Sequence, residues 1–285
     1  MIETRSTSPA APAEDIPISM MKFTGERMVP EEAPSRIFWE HVYRYRFAAQ
    51  FVNDKRVLDI ACGEGYGAAA LLESGAKSVI GIDISADACQ HARSKYGIDA
   101  RVGDAENIPM ASHSVDVIVS FETIEHINNP EAFIEECVRV LSRGGKLIVS
   151  TPNGEFTSEE GSANPFHVHE MSEEEFDALL KPHFSQLQWY TQRPATAAWW
   201  SPRSLVTLSS PWLHLRGFCR ALKTLRVVLC PQFEEEVGEQ NRKAANRMIL
   251  ATDRAFSSLV NPYALRKRSG WQRERPSYFV VIATL

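Results

Sequence analysis

Val57-Leu58-Asp59-Ile60-Ala61-Cys62-Gly63-Glu64-Gly65-Tyr66-Gly67-Ala68-Ala69-Ala70-Leu71 is the stretch that decides the fold. An apolar run that ends at Ala61 reads as a buried strand. Gly63, Gly65 and Gly67 follow at alternate positions, and Ala and Leu, strong helix formers, come after them. The pattern is strand, glycine-rich turn, helix. Glycine lets the chain turn sharply and lets a ligand approach the backbone. Gly63-x-Gly65-x-x-Ala68 also satisfies the loose dinucleotide fingerprint, so the stretch alone leaves the cofactor open.

Outward from it, strands and helices alternate. A helix over 38–52 precedes the strand, and a helix over 66–74 follows the turn. Further strands are expected at Ser78–Ile84, Ala100–Gly103, Val115–Phe121, Lys146–Ser150 and Leu187–Thr191, with helices over 86–96, 130–141 and 172–180. The last of these helices opens with Ser172 and carries Glu175 three residues on, a capping box. Tyr278–Thr284 is a final strand. Such alternation builds βαβ units and a parallel sheet. Residues 193–276, between the sixth and last strands, read as a helical insertion, a lid or substrate subdomain. Residues 1–20 read as a disordered leader and 21–55 as an N-terminal cap. The core is then 56–192 with 277–285.

Carboxylates stand where a cofactor would need them. Asp59, inside the first strand, can orient the turn and the ammonium of an amino-acid ligand. Asp83 closes the second strand before Ile84 and can accept from two ribose hydroxyls. Asp104, Ala105 and Glu106 follow the third strand; a carboxylate there accepts from an exocyclic adenine amine while the Ala105 N–H faces a ring nitrogen. Asp116 to Ile127 (DVIVSFETIEHI) and the turn at Gly144-Gly145 complete the series.

In this order the motifs resemble those of class I S-adenosyl-L-methionine (SAM) dependent methyltransferases, over residues 57–153. The resemblance implies a doubly wound, Rossmann-like α/β sheet of seven strands, the last antiparallel and inserted beside the fifth. It implies SAM as cofactor and S-adenosyl-L-homocysteine as product. Asp59, Ala61, Gly63, Gly65, Gly67, Asp83, Ile84, Asp104, Ala105, Glu106 and Phe121 would line the cofactor site.

Ligands in such sheets sit beyond the carboxyl ends of the strands, so Glu122, Thr123, Ile124, Glu125 and His126 face the transferred methyl. Methyl transfer is an in-line displacement, and the enzyme must position the acceptor and remove its proton. Imidazole, with an ordinary pKa of about 6.5, suits that work. His126 is the candidate base, with Glu122 beside it. The E-x-x-E-H run, the segment Thr151-Pro152-Asn153 and a later histidine also resemble the small-RNA 2′-O-methyltransferases and the O-methyltransferases of ubiquinone synthesis. That likeness implies a divalent cation, Mg²⁺ or Mn²⁺, on Glu122, Glu125, His126 and His167. In metal-free relatives Glu125 and His126 only brace the turn.

The acceptor is less legible. Phe23-Thr24-Gly25-Glu26-Arg27-Met28-Val29-Pro30, the run His41-x-Tyr43-Arg44-Tyr45, the segment His167-Val168-His169-Glu170 and the terminal strand resemble bacterial methyltransferases of glycan and lipopolysaccharide gene clusters. That implies O-methylation of a sugar or glycan precursor. Arg27, His41, Arg44 and Tyr45 would then line the acceptor pocket or cover SAM, or else simply pack the cap on the sheet. An aromatic or quinone-like acceptor, RNA, and a non-catalytic SAM-binding subunit stay open.

Composition narrows the partners. The net charge is −5, yet residues 193–276 hold 15 Lys and Arg against 6 Asp and Glu. A basic block in an acidic chain suits an anionic partner such as a phosphate- or lipid-linked glycan, or it is a solvated helical face. Trp199, Trp200 and Trp212 suit sugar stacking or peripheral membrane contact. No known RNA-binding module accompanies the basic block, which argues against nucleic acid. No apolar run approaches the ~20 residues of a membrane span. Five scattered cysteines without CxxC spacing fit a reducing compartment, so the expected location is cytoplasmic, with contact to the inner membrane face through the insertion.

Overall fold

The computed structural model describes residues 28, 35–156, 164–192, 266–267 and 276–285. Helix α1 (Ser35–Ala48) leads through a short 3₁₀ turn into β1 (Arg56–Ile60), followed by α2 (Tyr66–Glu73), β2 (Ser78–Asp83), α3 (Ala86–Tyr96), β3 (Asp99–Val102) and β4 (Val115–Phe121). A 3₁₀ turn at Ile124–His126 precedes α4 (Pro130–Val140), β5 (Leu141–Pro152), α5 (Glu173–Leu180), β6 (Gln186–Gln192), β7 (Arg266–Lys267) and β8 (Tyr278–Thr284).

The strands form one sheet in the order β3-β2-β1-β4-β5-β8-β6-β7. β1 to β5 pair in parallel. β8 runs antiparallel between β5 and β6, as the sequence led us to expect. The seven expected strands are joined by an eighth, the two-residue β7, which pairs Thr191 with Arg266 and Tyr190 with Lys267. β7 lies in the stretch read as a helical insertion, and an Arg-Lys dipeptide carries no strand pattern. The rest of that insertion, with its expected helices and tryptophans, lies outside the described residues, as do the leader and Arg27.

Strand β5 begins five residues earlier than expected. Its register slips between the pairs Val115–Leu141 and Val117–Lys146, and Gly144 in the slip has φ +73°. A left-handed residue inside a ladder makes a bulge, and a bulge hides strand periodicity from sequence.

Both faces of the sheet are covered, so its central strands read as nearly continuous apolar runs. Alternate residues go to opposite faces. Leu58, Ile118, Leu147, Val149, Phe279 and Val281 pack under α4 and α5 with Phe133, Ile134, Phe176 and Leu180. Val57, Val117, Val119, Ile148, Val280 and Ile282 pack under α1 and α2 with Tyr45, Ala48, Ala68 and Leu71. By the same alternation Asp59 belongs to the α1–α2 face, an acid in an apolar layer.

Local chemistry sets the helix ends. Ser85 caps α3 through its side chain, Asn129 caps α4 just before Pro130, and Ser172 with Glu175 forms the expected capping box of α5. Thus the turns after β1, β2 and β4 open at one edge of the sheet, where the site residues gather.

Candidate functional site

The glycine turn after β1 is left-handed three times: Ala61 has φ +55°, Gly63 +56° and Gly65 +94°. The second strand holds it. Asp83 accepts the Gly63 N–H at 2.8 Å through Oδ2 and the Ser85 N–H at 2.9 Å through Oδ1. The Ile82 carbonyl accepts the Cys62 N–H at 3.0 Å. Asp83 therefore fixes the turn after β1. A Cβ on Gly65 would lie 2.5 Å from the Ala92 Cβ, so this glycine also lets α3 approach.

Glu64, between the glycines, is a residue the sequence reading passed over. It is 1% exposed, and its carboxylate meets Lys95 at 3.3 Å, His91 at 3.1 Å and the Tyr96 hydroxyl at 3.1 Å. These three partners sit on α3 and pin the turn to it. An acid enclosed by glycines is the one available signal; its partners lie about thirty residues away.

Beneath the turn, Asp59 is fully buried. The Tyr45 hydroxyl faces both carboxylate oxygens at 3.2 Å. Burial pushes the Asp59 carboxyl up to about 8, against the Tyr45 hydrogen bond, which lowers it. The Tyr45 ring meets Tyr66 and Phe121 edge-on, with centroids 5.4 and 5.0 Å apart. On the same face of α1, His41 Nδ1 pairs with the Tyr66 hydroxyl at 3.0 Å. Burial and then Arg44 hold the His41 imidazole well below its ordinary value, hence neutral.

On the open side, Ile84 is 76% and Val102 52% exposed, two apolar side chains at the ends of β2 and β3 suited to a flat ring. Asp104 Oδ1 accepts the Glu106 N–H at 2.9 Å and stays exposed. The Glu106 carboxylate accepts the Asn129 N–H at 3.2 Å, so it braces the start of α4. Arg139, on α4, steadies this loop by donating to the carbonyls of Ile108 and Met110, both at 2.8 Å.

At the end of β4, Phe121 is buried and Glu122 takes φ +53°. The sequence reading made Glu122 a catalytic and metal-binding acid. Its Oε1 instead accepts from Ser150 at 2.7 Å and lies 3.2 Å from Arg44 Nη1, an ion pair too oblique for a hydrogen bond. Arg44 is 1% exposed, donates to Gln192 at 2.8 Å and stacks on Tyr278 at 4.5 Å. Burial works against the Arg44 charge, and Glu122 leads the groups that restore it. The left-handed turn at Glu122 explains the difference: it carries the side chain back toward α1.

Glu125, His126 and His167 do converge. One ligand atom from each lies within 4.8 Å of the others, and among the described residues this is the group that could hold a metal ion. His126 Nδ1 donates to the Phe166 carbonyl at 2.9 Å, which leaves Nε2 as the lone-pair nitrogen. His167 Nδ1 pairs with Glu170, and its Nε2 accepts from the Asn164 amide at 2.9 Å. Glu125 is fully buried, and neither carboxylate oxygen has a hydrogen-bond partner among the described residues. Burial, then the nearby Glu122, raises its pKa well above the ordinary carboxylate value. Its carbonyl accepts the N–H groups of Val168 and His169, at 2.8 and 3.2 Å, so the histidine segment is stitched to the turn after β4.

The glycine turn is thus a strand-turn-helix loop held by Asp83, with Asp59 below it and the exposed Ile84 and Val102 nearby. Residues 58–149 match the family model of the methyltransferase domain. A probable S-adenosylmethionine-dependent methyltransferase of Mycolicibacterium smegmatis is 39% identical over 168 residues, 57% of this chain and 65% of that protein. A ubiquinone biosynthesis O-methyltransferase of a Chelativorans species is 36% identical over 118 residues, 40% of this chain and 46% of that protein. The chain thus spans less than two thirds of these relatives. The solved structure of a SAM-dependent methyltransferase from Thermotoga maritima, a possible histamine N-methyltransferase, superposes with a TM-score of 0.54 over 87% of this chain and 92% of that one. At 18% identity this shows the shared fold. Together these similarities show that residues 58–149 resemble a methyltransferase domain and that the chain shares the fold of such enzymes.

The structure therefore sets Asp83, at the end of β2, against the turn of Ala61, Gly63 and Gly65, with Asp59 below it in β1; Ile84 follows β2, and Asp104 and Ala105 follow β3. A Cβ on Gly67 would meet the Tyr45 ring. Glu106 and Glu122 are engaged by Asn129 and by Arg44 with Ser150.

Proposed function

We propose that the chain transfers the methyl group of SAM to a hydroxyl, with His126 as general base. The observation that carries the reading is the His126 geometry beside a methyltransferase glycine turn. Its Nδ1–H is committed to the Phe166 carbonyl, so Nε2 can take the acceptor's proton. The sulfonium carbon is already electrophilic; the acceptor oxygen attacks it in line as the sulfur leaves with the bonding pair, giving S-adenosylhomocysteine. General-base help of this kind contributes about 10²- to 10⁴-fold.

The acceptor class we assign is a sugar or glycan-precursor hydroxyl. Its support is the N-terminal Thr24-Gly25-Glu26-Arg27 opening, the His167-Val168-His169-Glu170 segment and the basic excess of residues 193–276. A quinone-like aromatic acceptor is the second reading, favoured by the ubiquinone O-methyltransferase among the relatives. Contact with a membrane surface, through the basic residues of the same stretch, belongs to the proposal too. No helix of the described residues is long and apolar enough to cross a membrane.

A divalent cation fits the trio in part. The unpartnered Glu125 carboxylate is the kind of buried acid a cation would satisfy. The His167 pairing with Glu170 is the outer-shell contact that metal-ligating imidazoles make, and its Nε2 would have to exchange the Asn164 amide for the ion. One carboxylate with two imidazoles suits Mn²⁺ better than Mg²⁺, which prefers oxygen. Bound there, a cation would take the His126 Nε2 lone pair, so it would lower the pKa of an acceptor hydroxyl in place of the general base and not beside it. Glu122 would not hold it.

The test is methyl-labelled SAM with the purified protein and fractionated bacterial extract, with and without EDTA. Label in sugars, nucleotide sugars or lipid-linked glycans, lost in His126→Ala, supports the reading. Label in quinones or RNA moves the acceptor. SAM binding with no label in any fraction replaces the enzyme with a binding subunit. Loss of label with EDTA, restored by Mn²⁺, assigns the cation.

A further inference from the structure

Three residues of the sequence, at 45, 59 and 67, make one device. Asp59 lies on the apolar α1–α2 face of β1, where alternation would put a hydrophobic side chain. A buried carboxyl without partners is costly, and the contact that answers it is the Tyr45 hydroxyl, placed symmetrically 3.2 Å from each oxygen. The Tyr45 ring reaches that position by lying against the backbone of α2 at Gly67. A Cβ there would lie 2.0 to 2.5 Å from three ring carbons. The third glycine of the turn therefore seats a tyrosine from α1 over the acid of β1. Asp59 itself sits two residues before the left-handed turn at Ala61, below the place where the cofactor's amino-acid end would lie.

Resting on the SAM reading above, we propose that Tyr45 is a positioning residue for the cofactor: it holds the Asp59 carboxylate in the orientation that receives the ammonium of SAM. The aromatic contacts with Tyr66 and Phe121 fix the ring, so the hydroxyl returns to the same place.

The pair also makes affinity depend on pH. The groups facing Asp59 are Tyr45 from α1, Tyr66 from α2, Cys62 from the turn and Asp83 from β2. Burial holds Tyr45, Cys62 and Tyr66 protonated through the neutral range, so they do not titrate there. Asp59, pushed up to about 8, does. Its charged form binds an ammonium, so affinity rises with pH through that value. The Tyr45 hydrogen bond favours the charged form, and removing it moves the rise upward.

The experiment is calorimetric titration with S-adenosylhomocysteine, which shares the amino-acid end of SAM, between pH 6 and 8.5. Tyr45→Phe keeps the ring against Gly67 and deletes only the hydroxyl. The expected result is a weakening of about tenfold at pH 7.5, with the rise displaced by about one pH unit, since one unit is one factor of ten. Unchanged affinity, or a loss equal at every pH, overturns the inference. Asp59→Asn is the second variant and keeps an acceptor for the tyrosine; weak, pH-independent binding supports the inference, and wild-type binding overturns it. If the wild type itself binds no S-adenosylhomocysteine, the cofactor reading fails and takes this inference with it. Binding by the wild type with an unaltered Tyr45→Phe sinks the inference alone.

Discussion

The Tyr45 ring occupies the space that a side chain on Gly67 would fill, with its Cζ 2.0 Å from where a Cβ would stand. Gly67 is inside α2 and has an ordinary helical conformation, so its lack of a side chain serves packing between helices. Gly67→Ala should therefore destabilise the protein, although alanine is the better helix former. Overpacking of this kind costs about 1–3 kcal/mol. Combining it with Tyr45→Ala should cost less than the two single changes added. Chemical denaturation of the three variants checks this; strict additivity would mean that the two positions do not share the space.

Ala61 is a different case. It has φ +55° without being glycine, at the first position of the turn. A left-handed L-residue costs about 1–2 kcal/mol. Replacing it with glycine removes that strain and returns about 0.4–1 kcal/mol of unfolded-state entropy. Ala61→Gly should therefore leave stability unchanged or raise it by up to about 1.6 kcal/mol. A thermal melt showing a clear loss would mean that the Ala61 methyl makes contacts that outweigh the strain.

Asp59 gives stability a pH dependence of defined sign. Its carboxyl is raised to about 8 in the fold, against an unfolded value of about 3.9. Between those values the native state holds a proton that the unfolded state has released. Stability from this group is therefore complete below about pH 4 and falls as pH rises toward 8. Asp59→Asn removes the term, so its stability should fall less from pH 5 to pH 8 than that of the wild type. Urea midpoints at the two pH values decide it; parallel declines would show that Asp59 is charged in the fold.

The strands and helices of the described core, apart from the early start of β5 and the whole of β7, were legible in advance because each rests on local pattern. Tyr278–Thr284 is a seven-residue apolar run, and Ser172 with Glu175 marks a helix start; both stand where the sequence put them. The place of Asp83 at the end of β2, and of Gly63 and Gly65 in the turn after β1, was legible for the same reason. What sequence could not carry was the choice of partner across the chain. Glu122 is one of two acids in E-x-x-E-H, and nothing local says that it turns back to Arg44, 78 residues earlier, while Glu125 turns inward to His126. That choice follows from a single positive φ, at a residue type that seldom adopts one. The same limit hid the partners of Glu64 on α3, and β7, which is defined by backbone pairing alone.

The split between the two acids predicts opposite outcomes for Glu122 and His126. Arg44 is almost fully enclosed, with Glu122 leading the groups that hold its charge and Glu40 among them. Taking one partner from a buried ion pair costs about 3–5 kcal/mol, less here because Glu122 is 16% exposed and the amide of Gln still accepts from Ser150. Glu122→Gln should then lower the denaturation midpoint while kcat in the surviving folded protein changes by less than about tenfold, below the 10²–10⁴ expected of a lost proton-transfer group. His126→Ala should do the reverse, since its ring is half-exposed and its contacts are the Phe166 carbonyl and the edge of the His167 ring. Kinetics and denaturation of both variants, once an acceptor is in hand, separate the roles. A Glu122→Gln protein of normal stability with kcat reduced a hundredfold would move the base from His126 to Glu122 and assign Arg44 to tuning it.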